Sequence, residues 1–190
     1  MKSLLDEISN EKSISSEKLQ LLKSSVVIKH IAKGEILRRK GEKPEKFYFV
    51  KKGCLRSYAI DEKGKEHIFM FAPEGWIIGD IESHVKNMPT QLFVDAIEDS
   101  EIEVFDKKII NLDTQLLQPK LALDKLTKRV AVLQKRIILL MSATLQERYL
   151  DFIQTYPEIV QRVPQKMIAS YLGVTPEALS KIRNDLSKHK

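Results

Sequence analysis

The chain has 190 residues, of which 43% are hydrophobic and 31% are charged, and its formal net charge is +6. This composition is typical of a globular protein with one or two domains and excludes disordered and fibrous chains. Because Cys54 is the single cysteine, the chain cannot form an internal disulfide or a multi-cysteine metal or iron–sulfur site by itself.

Charge is distributed unevenly along the chain. Residues 1–110 carry 19 basic and 19 acidic side chains, whereas residues 111–190 carry 13 and 7. The basic C-terminal part favours a negatively charged partner, most simply nucleic acid, although a solvated basic surface would give the same count. The acidic, polar start does not resemble a signal peptide, and no aliphatic run is long enough to cross a membrane. We therefore expect a cytoplasmic protein with no membrane partner.

Two kinds of pattern precede the basic region. Residues 1–24 show amphipathic helical spacing, interrupted by a serine-rich break. Residues 26–106 alternate short β-rich runs with turn residues at intervals of roughly ten residues, which predicts an antiparallel sandwich or barrel.

A heptad pattern follows and predicts a long helix that begins at Pro119. Thr144 continues the same spacing. Such a seam can pack on a helix of its own chain or on the same helix of a second chain. We favour a homodimer, because the other long segment is β-rich. The predicted dimerisation residues are Leu123, Leu126, Val130, Leu133, Ile137 and Leu140.

The stretch "VPQKMIASYLGVTPEALSKIRNDLSK", residues 163–188, has the spacing of a helix-turn-helix. Ala169 is the small residue needed where the two helices touch, and Gly173 supplies the positive φ of the turn. Thr175 is a suitable N-cap and Pro176 a favoured first helical residue.

Helical periodicity gives the second helix an apolar face and a polar face. Lys or Arg on the polar face can donate to guanine, and Glu can accept from cytosine in the major groove. An ordinary pair of helices with a solvated outer face is the alternative. The predicted DNA-binding residues are Thr175, Pro176, Glu177, Ser180, Lys181, Arg183, Asn184 and Lys188.

From about residue 26 onward the chain resembles the Crp/Fnr-type transcription regulators, and its ending resembles the version common in Bacteroidetes. The resemblance is carried by "KGEILRRKGEKPEKFYFVKKGCLRSYAID" (33–61), by "ERYLDFIQTYPEIVQRVPQKMIASYLGVTPEALSKIR" (147–183) and by the heptads between them. It implies an α+β protein with an N-terminal β-roll similar to cyclic-nucleotide-binding domains, a long dimerisation helix and a C-terminal helix-turn-helix.

The chain departs from this family pattern in two places. Ligand-binding members follow a Gly-Glu pair with an Arg-Ser or Arg-Thr pair that holds the cyclic phosphate. This chain has Gly79-Asp80 and then Thr90-Gln91, so no guanidinium is available at that position and a cyclic nucleotide is not expected. The β-hairpin wing of the family is predicted to be absent or reduced to a basic tail, since few residues follow Asn184.

The resemblance places a candidate effector pocket around Trp76, Gly79, Asp80, Thr90 and Gln91. Core packing is the simpler role for Trp76, whereas lining a pocket for an apolar or uncharged ligand is the alternative. No cofactor and no metal site are predicted, because the four histidines are scattered and no catalytic set converges.

We therefore predict a homodimeric, sequence-specific DNA-binding regulator rather than an enzyme, with residues 1–118 as the β-roll and N-terminal helices, 119–143 as the dimerisation helix and 144–190 as the DNA-binding domain. Double-stranded DNA is the predicted partner, with RNA polymerase and a small-molecule effector as further candidates. The alternative is a ligand-binding or scaffolding module whose helix-turn-helix does not engage DNA.

Overall fold

The computed structural model describes residues 3–9, 15–43, 45–106 and 119–188. The chain divides into two compact units. The sheet unit comprises Met1–Ala59 and Phe69–Leu126, and the helical unit comprises Ile60–Ile68 and Thr127–Lys190. The three predicted domains, with boundaries after residues 118 and 143, stay a prediction.

Eight strands among the described residues build two four-stranded sheets, one in the order β1-β8-β3-β6 and the other in the order β2-β7-β4-β5. The paired strands β1–β8, β3–β8, β3–β6, β2–β7 and β4–β7 run antiparallel, which confirms the predicted antiparallel fold. The strands are β1 Val27–Ile31, β2 Ile36–Arg38, β3 Lys46–Lys52, β4 Leu55–Ile60, β5 Glu66–Ala72, β6 Ile77–Ile78, β7 Phe93–Ala96 and β8 Ser100–Asp106.

Alternating side chains of these strands form the main core of the sheet unit, since successive residues of a strand point to opposite faces. Trp76 is partly buried and packs against this core, together with Leu37 and Phe69. Its fully buried members are Ile31, Tyr48, Val50, Leu55, Met70, Ala72, Ile78, Val94, Ala96, Ile102 and Val104.

The N-terminal helices α1 (Leu4–Ser9) and α2 (Ser16–Ser25) belong to a second apolar cluster. Leu4, Ile8 and Leu22 pack there with Phe47, Phe49 and Phe105 of the strands. The buried Glu103 carboxylate accepts hydrogen bonds from the Leu4 and Leu5 backbone N–H groups at 3.0 and 3.3 Å and from the Ser3 hydroxyl. A carboxylate at a helix N-terminus satisfies donors that have no partner inside the helix.

A buried ion pair joins neighbouring strands of the second sheet. Arg56 of β4 lies opposite Asp95 of β7. The guanidinium donates from Nε to Oδ1 at 2.7 Å and from Nη2 to Oδ2 at 2.8 Å, and both residues are buried. The bidentate geometry makes this a strong charge-assisted contact, and Arg56 also lies over the Tyr58 ring at 4.2 Å.

One short helix lies within the region for which the sequence predicts only strands and turns. Helix α3 covers Ile81–Lys86, and Asp80 is its N-cap. Lys86 is in the last turn of α3 and forms an ion pair with Glu82 at 2.6 Å. A six-residue helix has too few turns to give a periodic pattern, which explains the error.

In the described residues beyond the β region, the helices are α4 Pro119–Ser142, α5 Leu145–Thr155, α6 Ile159–Arg162, α7 Gln165–Leu172 and α8 Pro176–Lys188. Pro119 is the first described residue of the long helix, so its predicted role as the start of that helix stays a prediction. Thr144 does not continue the heptad seam, because α4 ends at Ser142. Instead Thr144 is the N-cap of α5 and forms a capping box with Glu147.

Several apolar side chains of α4 are exposed to solvent. The exposed fractions are 50% for Val130, 57% for Ile137, 41% for Leu140 and 82% for Met141, and Leu133 is half-buried. The side chains of Leu123 and Leu126 lie outside the described part of the structure. An uncovered apolar stripe on one helix face is the surface that the heptad prediction requires for self-pairing.

Within the described ranges, no helix is both long enough and apolar enough to span a bilayer. Helix α8 ends at Lys188, the last residue that the structure describes. The predicted reduction or absence of the wing therefore stays a prediction.

Replacing Arg56 by Met should lower the free energy of unfolding of the sheet unit by about 3–5 kcal/mol, because Asp95 would remain buried without its partner. The double replacement Arg56→Met/Asp95→Leu should recover most of this loss. Urea unfolding followed by Trp76 fluorescence measures both effects, and Arg39→Met at an exposed position is the control. If the double variant loses as much free energy of unfolding as the two single variants together, Arg56 and Asp95 do not stabilise the sheet unit as a pair.

Candidate DNA interface and effector pocket

The turn between α7 and α8 is stabilised by backbone hydrogen bonds that need a left-handed residue. Gly173 has φ 71°, and its N–H donates to the carbonyls of Ala169 and Ser170. The Val174 N–H donates to Ala169 O at 3.0 Å, which completes a Schellman-type helix end. Ala169 is fully buried, and α7 packs on α8. The predicted helix–turn–helix and its glycine are therefore present.

The second helix begins where the sequence predicts. Its first residue is Pro176, and Thr175 Oγ1 accepts the Ala178 N–H at 3.3 Å as the N-cap. Hydrogen bonds from its own backbone N–H and from the Thr175 hydroxyl lower the pKa of the exposed Glu177 carboxyl. Glu177 is therefore an anionic acceptor at the start of this helix at neutral pH.

The two faces of α8 are separated as periodicity predicts. Leu179 is fully buried, and Ala178, Ile182 and Leu186 are half-buried. Arg183 lies on the flank and is half-buried. All other predicted DNA-binding residues are exposed: Thr175, Pro176, Glu177, Ser180, Lys181, Asn184 and Lys188. Contact of these residues with DNA stays a prediction.

Two arginines donate hydrogen bonds to the C-terminal carbonyls of α7. The sequence alone did not point to either arginine. Arg136 Nη2 donates to Tyr171 O at 2.7 Å, and its guanidinium lies 4.0 Å from the centre of the Tyr171 ring. Arg148 Nη1 donates to Leu172 O at 2.8 Å. Cations at this end of a helix complement its dipole. Burial lowers the pKa of Arg136, and the nearby Tyr171 and Tyr156 partly oppose this shift.

The same helix end binds the tip of the β4–β5 hairpin, residues 60–68, which belongs to the helical unit. Arg136 Nη2 also donates to Ile68 O at 3.0 Å. Ser170 Oγ accepts the Ile68 N–H at 3.0 Å and donates to Glu66 O at 2.8 Å. One serine and one arginine thus fix the hairpin tip to the first helix of the helix-turn-helix.

The structure brings together two of the five predicted effector-pocket residues through a hydrogen bond. The Thr90 hydroxyl is fully buried and donates to Asp80 Oδ2 at 2.6 Å. Asp80 Oδ1 accepts the Ser83 N–H at 3.2 Å as the cap of α3. Gln91 is exposed, and Trp76 packs against the main core of the sheet unit. A role for any of the five in effector binding stays a prediction.

Gly79 is required by close packing rather than by an unusual backbone conformation. A Cβ at this position would lie 2.8 Å from Phe47 Cε1 and even closer to Cδ1. Phe47 is itself buried and makes an edge contact with the His84 ring at 4.7 Å.

The structure gives no support for a metal centre in the part of the chain that it describes. No group of three or more His, Cys, Asp or Glu side chains could hold a metal ion there. Cys54 is fully buried, as expected for a small apolar side chain in a strand region.

Replacing Gly173 by Ala should lower the free energy of unfolding of the helical unit by about 1–2 kcal/mol, because an L-residue is strained at this φ. The new Cβ would meet its nearest heavy atom, Leu140 Cδ2, at an ordinary 3.5 Å, so the cost is conformational. Gly173→Asn should cost less, since Asn tolerates the left-handed region. Chemical denaturation followed by circular dichroism tests this order, and equal stability of the Ala variant and the wild type would refute it.

Comparison with known proteins connects this arrangement to a family. Residues 28–111 match the model of the cyclic nucleotide-binding domain. The "Anaerobic regulatory protein" of Pasteurella multocida is 26% identical over 174 residues, and the "Fumarate and nitrate reduction regulatory protein" of Yersinia pestis is 27% identical over 179 residues. Both matches cover 84% of this chain, but only 63% and 68% of the relatives. The chain thus spans less than two thirds of the Pasteurella protein.

Solved structures show the same fold. FixK2 from Bradyrhizobium japonicum superposes with a TM-score of 0.73 at 20% identity, covering 86% of this chain and 85% of FixK2. A transcriptional regulator of the CRP/FNR family from Thermus thermophilus gives 0.67 at 18% identity, covering 86% and 87%. The match to the cyclic nucleotide-binding domain model and these superpositions support the likeness to the Crp/Fnr regulators that the sequence predicts, and the solved structures share the fold of this chain.

Proposed function

We propose that the protein is a homodimeric, sequence-specific DNA-binding transcription regulator. The observation that carries this proposal is the face of α8, where Glu177, Ser180, Lys181 and Asn184 are all exposed while Leu179 anchors the opposite face. A rigid turn at Gly173 fixes the start of this helix. An α-helix with such a face fits the major groove of B-DNA.

The side chains on this face can distinguish base pairs by their chemistry. Lys181 can donate to the N7 and O6 acceptors of guanine, and Glu177 can accept from the cytosine amino group. Lys188, at the end of the helix, is placed to neutralise a phosphate. The basic excess of residues 111–190 adds sequence-independent attraction to the duplex.

The exposed apolar stripe of α4 supports the homodimer. Ile137, Leu140 and Met141 would lose contact with water on pairing with the same face of a second copy. A two-fold dimer presents two recognition helices to half-sites about 34 Å apart, so the operator should be approximately palindromic.

The named relatives are regulators, which supports a regulator rather than an enzyme. A DNA-binding regulator works where its DNA lies, so we also propose a cytoplasmic location, with RNA polymerase as a candidate partner of the DNA-bound dimer.

The effector is not a cyclic nucleotide in this proposal. The position that would hold a phosphate-binding guanidinium is occupied by Thr90, whose hydroxyl is already bound to the Asp80 carboxylate. A cyclic phosphate brought to this carboxylate would meet a like charge and no bidentate donor. The domain fold alone does not supply ligand recognition.

Selection of bound DNA from a random pool should return an approximate palindrome. On that site, Lys181→Ala should weaken binding by about 1–3 kcal/mol and relax the preference at one position, because a base contact is lost. Lys188→Ala should weaken binding to specific and random DNA alike and reduce the salt slope by about 1. Gel-shift titrations at several salt concentrations measure both effects.

Lys23→Ala, in α2 of the sheet unit, is the matched control and should leave both quantities unchanged. Enrichment of no sequence, together with no steep salt dependence, would favour a scaffolding module over a regulator. If Lys181→Ala weakens binding to specific and random DNA equally, Lys181 does not contact a base.

Millimolar cyclic AMP or cyclic GMP should leave the melting temperature of the protein unchanged, because a ligand that binds only the folded state would raise it. Differential scanning fluorimetry measures this, with 5′-AMP as the control for general nucleotide effects. A rise of several degrees with a cyclic nucleotide and not with 5′-AMP would contradict the proposed loss of phosphate recognition.

A further inference from the structure

A cavity of about 320 Å³ that is open to solvent lies in the sheet unit, beside the loop between β2 and β3. Its volume is at the lower end of the range found for small-molecule sites. Its walls combine the apolar side chain of Leu37 and the Tyr48 ring with charged groups. The lining residues are Leu37, Arg38, Glu42, Lys43, Glu45, Lys46 and Tyr48.

Arg38, which lines this cavity, is a buried cation, with only 3% of the residue exposed. Nη2 donates to the carbonyl of Lys46, and the guanidinium lies 5.3 Å from the centre of the Tyr48 ring. Nη1 is buried and makes no hydrogen bond to any described residue. Arg38 also has no ion-pair partner among the residues that the structure describes. This differs from Arg56, whose charge is matched by Asp95.

The surroundings hold Arg38 in place. The Tyr48 hydroxyl donates to Leu37 O at 3.0 Å, which fixes the ring beside the guanidinium. Burial raises the pKa of Tyr48, so the phenol stays neutral and cannot serve as the counter-charge of Arg38. A buried cation without a carboxylate is costly unless an anion neutralises it.

The charges around the cavity favour an anion. Arg38, Lys43 and Lys46 outnumber Glu42 and Glu45, so the lining carries a net positive charge. The planar guanidinium matches the spacing of two oxygens in a carboxylate or phosphate, whereas lysine adds a less directional attraction. The apolar wall of Leu37 and Tyr48 could accommodate the uncharged part of a small molecule.

The cavity also borders the strand connection that carries Thr90. The Gly41 N–H donates to Thr90 O at 2.8 Å, and the Thr90 N–H donates to Glu42 O at 2.9 Å. Thr90 occupies the position at which ligand-binding members of the family that the chain resembles have a phosphate-binding arginine. Of the residues that line the cavity, Glu42 is thus the one that pairs directly with the Thr90 backbone.

We propose that this cavity binds a small molecule through its carboxylate or phosphate group, with Arg38 as the principal contact and Lys43 and Lys46 as supporting charges. The site is distinct from the position of Gly79, Asp80 and Thr90. Its existence does not depend on DNA binding, because it concerns a ligand of the sheet unit alone.

Isothermal titration of the full chain with inorganic phosphate and with acetate, at constant ionic strength, tests the proposal. We expect saturable binding of at least one of the two anions at one site per chain, and which anion binds more tightly identifies the preferred group. Arg38→Met, which keeps the length of the side chain but removes its charge, should weaken that binding at least tenfold. Arg39→Met, one residue away at an exposed position, should leave the affinity unchanged. Absence of saturable binding by either anion, or unchanged affinity in Arg38→Met, would overturn the proposal.

A second measurement does not require a folded variant. In ¹⁵N-correlated NMR spectra of the wild-type chain, the anion that binds should shift the backbone signals of Gly41, Glu42, Lys46 and Tyr48. Shifts confined to the exposed basic residues of α8 would locate the anion elsewhere and would also overturn the proposal.

Discussion

The helical unit depends on the guanidinium of Arg136. Its Nη2 joins the carbonyls of Tyr171 and Ile68, which are far apart in sequence, and its plane covers the Tyr171 ring. In the last turn of α7, the Tyr171 carbonyl is thus bound from α4 and the Leu172 carbonyl from α5, while Ser170 binds the hairpin tip. Because the turn at Gly173 starts from this helix end, the direction of α8 rests on the same contacts. An orphaned buried guanidinium would be the cost of disrupting them.

The polar groups around Asp80 are bonded to one another within the sheet unit. The Asp80 carboxylate accepts hydrogen bonds from the Ser83 N–H and the Thr90 hydroxyl and serves as a helix cap. Cationic character is concentrated beside β2 instead, at Arg38. In this chain the buried cation lies at Arg38 and not at residue 90. Proteins that share a fold can differ in this way in the ligands that they bind.

Features governed by neighbouring residues could be predicted from the sequence. Gly173, Thr175 and Pro176 each act through the conformation of their own turn, and the structure has the end of α7 and the start of α8 where the sequence predicts them. The exposed face of α8 follows from helical periodicity in the same way. Thr144 shows the limit, since its spacing fits the heptad seam but its hydroxyl caps the next helix. Arg38, Arg56 and Arg136 could not be assigned, because charged residues usually lie at the surface and their partners are distant in sequence.

The contact between Gly79 and Phe47 shows why a glycine stands at this position. The glycine of the motif leaves no room for a side chain because an aromatic ring fills the space beside it. In this chain the glycine is therefore explained by packing against Phe47, without any ligand. A glycine at this position is thus compatible with a domain in which an aromatic side chain, and not a ligand, fills the adjacent space.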